Sequence, residues 1–200
     1  RIRTGETDEA ETLFRRVLDC RRANLAKDHP DTALALNNLA GNLLRRKAYV
    51  EAEPLFREAV GMWANLGVHE SPELGNVIAN LAAVLCELNR VAEGIDFARR
   101  AMDIHRKLGG EDHWSVGNDR AVLGECLAKT NDHAAAEFEL REGLRLLVAG
   151  LGPTHQRTST VARTLGEFLK SVGKPEGAAE FEHLGGSSPN PSPATENRAP

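Results

Sequence analysis

Three histidines occupy positions from which a metal ladder could be built: His113 and His155 are 42 residues apart, and His29 precedes His113 by 84. A shared ion would need their ring nitrogens to converge at about 2 Å. Regular spacing of this length instead marks the same place in successive structural units, whose packed helices lie about 8–10 Å apart. A loop or capping role is therefore expected, and no metal. Cys20, Cys86 and Cys126 show no CxxC or Cys/His ligand spacing. They fall in columns otherwise held by apolar residues: Cys20 with Met62 and Ile104, and Cys126 with Val84 and Phe168. They are expected as buried core residues in a reducing compartment. No nucleophile elbow, HExxH motif or glycine-rich phosphate loop is present, so no catalytic residues and no cofactor are expected. Trp63 and Trp114 would be binding anchors if exposed, and seam-fillers between units if not.

The bulk composition restricts the partners. Lys and Arg are scattered among Asp and Glu, and the net charge of -4 has no basic block behind it, which argues against nucleic acid and anionic membranes. No apolar run approaches the roughly 20 residues needed to cross a bilayer, and a cytoplasmic setting is expected. With only 4% aromatic residues within a 41% apolar fraction, the core must be built from Leu, Ala and Val, a composition suited to closely packed helices. The chain starts at Arg1 inside a helical pattern, which suggests a piece of a longer protein.

The elements that position these residues follow from a repeat. Asn38-Leu39-Ala40 returns 42 residues later as Asn80-Leu81-Ala82, and Leu123-Gly124 and Leu165-Gly166 fall in the same columns. Ala10, Ala52, Gly94, Ala136 and Ala178 keep that register, as do Val17, Ala59, Ala101 and Gly143. Several independent columns in one register establish a repeated unit. Its halves have helical periodicity: Leu36, Leu39, Ala40 and Leu43 share one face, and Ala52, Leu55, Phe56 and Ala59 share another. Helices are predicted over 8–26, 30–46, 50–66, 72–88, 91–108, 114–129, 133–149 and 156–172, with a short one over 175–184. Pro30, Pro72 and Pro175 suit first-turn positions, Ser71 suits an N-cap, and Gly67, Gly109, Gly110, Gly150 and Gly152 suit left-handed helix ends. Pro54 falls awkwardly inside a helix.

The small columns mark where two helix backbones approach closely. One helix pair cannot cover its own apolar surface, so the pairs must stack into a nearly one-dimensional array. Residues 1–27 form the second helix of a truncated unit; complete units span 28–68, 69–110 and 111–152, a shorter one 153–184, and 185–200 is a Pro/Ser-rich tail expected to be disordered.

The Asn-Leu-Ala columns, the small and aromatic positions of the second helix, and the segments DHPD, LNNLA and YVEAEPLFREA resemble the tetratricopeptide repeat, in the long variety found in kinesin light chains. The unit exceeds the common repeat of about 34 residues by roughly one turn per helix. Trp114 replaces the expected proline, and Val122 and Thr164 replace the Asn of positions 38 and 80. The resemblance implies an all-α fold, an α-solenoid of stacked antiparallel helix pairs forming a right-handed superhelix.

It also implies a non-enzymatic protein-binding module whose first helices line a concave face. Carried over by position, that face presents Asn37, Asn38, Arg45, Asn76, Asn80, Glu87, Asn118, Glu125, Lys129, Arg163, Glu167 and Lys170 to a protein or peptide segment. A carboxamide both donates and accepts, so asparagine suits a peptide main chain; equally, Asn38 and Asn80 could brace neighbouring helices. The alternative function is a regulatory, sensor or assembly segment of a larger multidomain enzyme or nucleotide-driven switch. Self-association through uncapped solenoid ends is a further expectation.

Overall fold

The computed structural model describes residues 2–130 and 132–185, with the side chains of 2–8, 182 and 185 set aside. These residues form ten helices and no strand: α1 (Ile2–Asn24), α2 (Pro30–Arg45), α3 (Tyr49–Asn65), α4 (Pro72–Glu87), α5 (Val91–Gly109), α6 (Trp114–Leu127), α7 (His133–Leu151), α8 (Gln156–Ser171), α9 (Pro175–Ala179) and α10 (Glu182–Gly185). From α2 to α8 the ends lie within two residues of the expected ones. α1 starts earlier than expected, and the last predicted helix is two short pieces. The Pro/Ser-rich stretch 186–200 lies outside the described residues.

Local chemistry explains the boundaries. His29, Ser71, His113 and His155 form one column, and it is the N-cap column. The imidazole Nδ1 of His29 accepts from the Asp31 N–H at 3.1 Å, that of His113 from Ser115 at 3.3 Å, and that of His155 from Arg157 at 3.1 Å. Ser71 Oγ accepts from Leu74 N–H at 3.1 Å. Each satisfies a first-turn donor that has no intrahelical acceptor. Lys47 (φ 61°), Asn89 (φ 62°) and Gly173 (φ 78°), in one column of the repeat, supply a left-handed residue to the turns they occupy. Between units, Gly67, Gly110 and Gly152 have the expected positive φ. Gly109 and Gly150 do not: they keep helical φ, and a Cβ would stand 2.7 Å from His113 Cγ and from Trp114 Cβ respectively. They are packing glycines: Gly109 ends α5 and Gly150 lies inside α7, and neither has the expected left-handed conformation. Pro54 is the sixth residue of α3, which continues through it.

α2 packs on α3, α4 on α5 and α6 on α7, while each second helix also meets the next first helix; α1 packs on α2 as α3 does on α4. The first helices touch in series, α2 on α4, α4 on α6 and α6 on α8, forming an inner layer. The core is mainly aliphatic, with Leu36, Leu81, Leu85, Leu140, Leu147 and Leu165 almost fully buried beside Phe56. The small columns lie where the backbones approach. A Cβ on Gly124 would meet Leu140 Cγ at 2.7 Å and Ala136 O at 3.1 Å, and one on Gly143 would meet Gly117 O at 2.7 Å. Gly166 departs from the pattern: its Cβ would find only Ala178 O, at 3.9 Å, because α9 packs loosely on α8.

The cysteines require a correction. Cys20 is exposed, because no helix covers its side of α1 among the described residues. Cys86 and Cys126 are buried as expected, yet joined as a disulfide that links α4 to α6 across Cα atoms 5.4 Å apart. The Cys86 sulfur fills the space a side chain at Gly94 would need, in a column that elsewhere carries alanine. The core also holds a polar pair. His105 Nδ1 lies 2.6 Å from Asp119 Oδ2 and its Nε2 3.3 Å from Pro72 O, with the ring seated on Gly75. Burial pulls the His105 pKa down, but the hydrogen bond and charge of Asp119 outweigh it and hold it above the ordinary value. Burial pushes Asp119 up.

Candidate binding groove

The candidate residues lie on the inner-layer helices, and half of them, six of twelve, bond to one another. Asn80 Nδ2 donates to Asn37 Oδ1 at 3.2 Å, linking α4 to α2. Lys129 Nζ lies 3.0 Å from Glu87, linking α6 to α4. Arg157 donates to Asn118 Oδ1 at 3.0 Å, linking α8 to α6. Arg163 pairs with Glu167 within α8 at 2.9 Å. The first three contacts are rungs between successive first helices, so bracing accounts for Asn80 and much of the charge. Asn38 and Arg45 are exposed on α2, Asn76 is half-buried on α4, and Lys170 is exposed on α8.

Arg45 is the informative member. It shares the lining of a cavity of about 310 Å³ with Asn118, Ala121, Val122 and Glu125 of α6 and Gln156, Arg157, Thr160 and Val161 of α8. A residue of the first complete unit thus lines the same cavity as residues two and three units further on. Ala121, Val122 and Val161 supply apolar surface, and Arg45, Gln156, Thr160 and Asn118 supply donors and acceptors. This combination of apolar lining with a few polar groups suits an amphipathic ligand segment.

Glu125 gives the groove its electrostatic character. Burial and then the nearby Glu87 carboxylate push its pKa up to about 7, against the opposing pull of the Thr164 hydroxyl, Lys129 and Arg163. Tyr49, at the start of α3, is raised by burial and by the same Glu87. The disulfide joins the neighbours of these carboxylates, Cys86 beside Glu87 and Cys126 beside Glu125, and so holds the two acids near each other.

Gln156, Arg157, Thr160 and Tyr49 were absent from the sequence-derived set. The first three sit in the opening turns of α8, and their proximity to Arg45 depends on how the units pack on one another, which leaves no mark in the 42-residue register. Trp63 fills a seam at 6% exposure. Trp114 is half-buried, with the Arg157 guanidinium 5.5 Å from its ring centroid. The three column histidines are caps, and the described residues hold no cluster of three or more metal-ligating side chains. No described helix is long and apolar enough to cross a membrane.

Comparisons with known proteins agree with the fold. The tetratricopeptide repeat family model matches residues 1–65 and 74–147. No curated protein matches the chain. Among solved structures, BtubC (BKLC) from P. vanneervenii superposes with a TM-score of 0.69 at 21% identity, covering 100% of this chain and 83% of that one. A Podosopora anserina protein of nearly identical TPR-like repeats, described as a kinesin light chain, gives 0.68 at 19%, covering 91% and 86%. A Rap protein complexed with Competence and Sporulation Factor gives 0.74 at 13%, covering 92% of this chain and 50% of that chain. With the family model matching well over half its length, the chain belongs to the tetratricopeptide repeat family.

Proposed function

We propose that this array is a non-enzymatic protein-binding module that holds a segment of a partner protein along the surface of α2, α4, α6 and α8. The observation that carries the reading is the cavity in which Arg45 faces α6 and α8. It offers an apolar recess for one side chain, with Arg45, Gln156 and Thr160 at hand for the neighbouring main chain. Asn38 extends the surface along α2, whereas Asn37, Asn80, Glu87 and Lys129 act mainly by holding the helices in register.

The test is selection of binders from a random peptide library, followed by calorimetric titration of the selected peptides. Arg45→Ala and Thr160→Ala should each weaken binding by about tenfold, the loss of about 1.4 kcal/mol, with the circular dichroism unchanged. Peptides that bind both variants as tightly as the parent chain would exclude this groove.

A second reading, a regulatory or sensing segment within a larger protein, draws support from the Rap likeness, which spans half of that chain. A peptide whose binding alters the activity of an attached domain would distinguish it from a passive module.

A further inference from the structure

Three charged side chains line the cavity that α2 shares with α6 and α8, and they differ in what already holds them. Arg157 gives a hydrogen bond to Asn118 Oδ1 at 3.0 Å, and its guanidinium lies 5.5 Å from the centre of the Trp114 ring. Arg45, exposed on α2, bonds to no other side chain among the described residues. Glu125, half-buried on α6, accepts from the neutral Thr164 hydroxyl and has no salt bridge among the described residues. The cations that act on it are engaged elsewhere: Lys129 pairs with Glu87 at 3.0 Å and Arg163 with Glu167 at 2.9 Å. Arg45 and Glu125 do not pair with each other, because α4 stands between α2 and α6, two helix spacings of about 8–10 Å each. The cavity thus holds one unpaired charge of each sign, on separate helices. Glu125 has the greater need. A partly desolvated carboxylate beside a second one gains more from an incoming cation than the exposed, hydrated Arg45 gains from an anion.

Resting on the groove as the binding surface, we propose that the partner segment enters this cavity with two opposite charges, a lysine or arginine on Glu125 and an aspartate or glutamate on Arg45. The pair sets orientation as well as affinity. A segment laid the other way brings like charges together, and a segment of one sign leaves Arg45 or Glu125 without a partner.

The test uses random linear peptides selected on the full chain, then synthesised and titrated calorimetrically at pH 8. The selected peptides are expected to carry one basic and one acidic residue at a constant separation. Replacing the basic residue by norleucine should weaken binding about tenfold in the parent chain and have little effect in Glu125→Gln. Replacing the acidic residue by its amide should behave likewise against Arg45→Gln. Both variants keep the side-chain length, so the circular dichroism should not change. A second readout is pH. The ligand cation requires Glu125 ionised, whereas burial and Glu87 push its pKa up to about 7 against the pull of Thr164, Lys129 and Arg163. Tyr49, raised by burial and the same Glu87, stays neutral in this range. Affinity should therefore be about tenfold lower at pH 6 than at pH 8, and equal at both in Glu125→Gln. Peptides that lose affinity with Thr160→Ala yet lack opposite charges, or ignore Glu125→Gln, would overturn this proposal and leave the groove standing. Peptides indifferent to Thr160→Ala, or no selected peptide at all, would remove both.

Discussion

Replacing Glu125 by glutamine tests whether the groove carries a carboxylate whose ionisation opposes folding. In the unfolded chain this group has a pKa near 4.5; in the folded chain burial and Glu87 raise it to about 7. A raised acid binds its proton more tightly in the native state, so stability is greatest at low pH and falls as pH rises between the two values. Below about pH 4.5 both states are protonated and the group contributes nothing; above about pH 7 the full cost applies. The difference of about 2.5 units corresponds to about 3 kcal/mol. Glutamine keeps the shape and the contact with Thr164 without the charge. Glu125→Gln should thus match the parent at pH 4 and exceed it at pH 8.5 by about 2–3 kcal/mol, a rise of about 4–12 °C in Tm for a chain of this size. Urea unfolding at several pH values, followed by far-ultraviolet circular dichroism, gives the measurement. A stability difference independent of pH between 4 and 8.5 would refute the reasoning. It would show that Glu125 is solvated as an ordinary surface carboxylate.

Two further substitutions separate positions that share a column. Gly124→Ala should cost about 1–3 kcal/mol, because its methyl would meet Leu140 and the Ala136 carbonyl. Gly166→Ala should stabilise by about 0.5–1 kcal/mol, since the site is open and alanine lowers the entropy of the unfolded chain; thermal unfolding checks both. Cys86→Ser should destabilise the oxidised chain by about 4 kcal/mol, the loop-closure contribution for its 40-residue separation. Reduction of the parent chain should produce most of the same loss in denaturant unfolding.

Much of this fold was readable because its determinants are local and repeated. The N-cap column of His29, Ser71, His113 and His155, the small column from Ala40 to Gly166 and the prolines at helix starts each mark a place that recurs every 42 residues. The left-handed turn at Lys47 was not readable, since lysine there has only the shape of the turn to explain it. Cys20 was misplaced because its column is buried elsewhere under the first helix of the unit, and among the described residues no such helix covers α1.

The amino-acid order by itself determined the period, the two helices of each unit and the faces they bury, because helical periodicity and repeated spacing express contacts between near neighbours. Only the tertiary structure decided which polar residues of the inner layer remain available. Asn37 with Asn80, Glu87 with Lys129 and Asn118 with Arg157 are pairs made across units, and the Cys86–Cys126 bond spans 40 residues, two short of the period. Such pairings, and the meeting of Arg45 with α6 and α8, depend on how each unit tilts and curves against the next. That tilt is the sum of many packing contacts between helices, and no single column of the sequence records it.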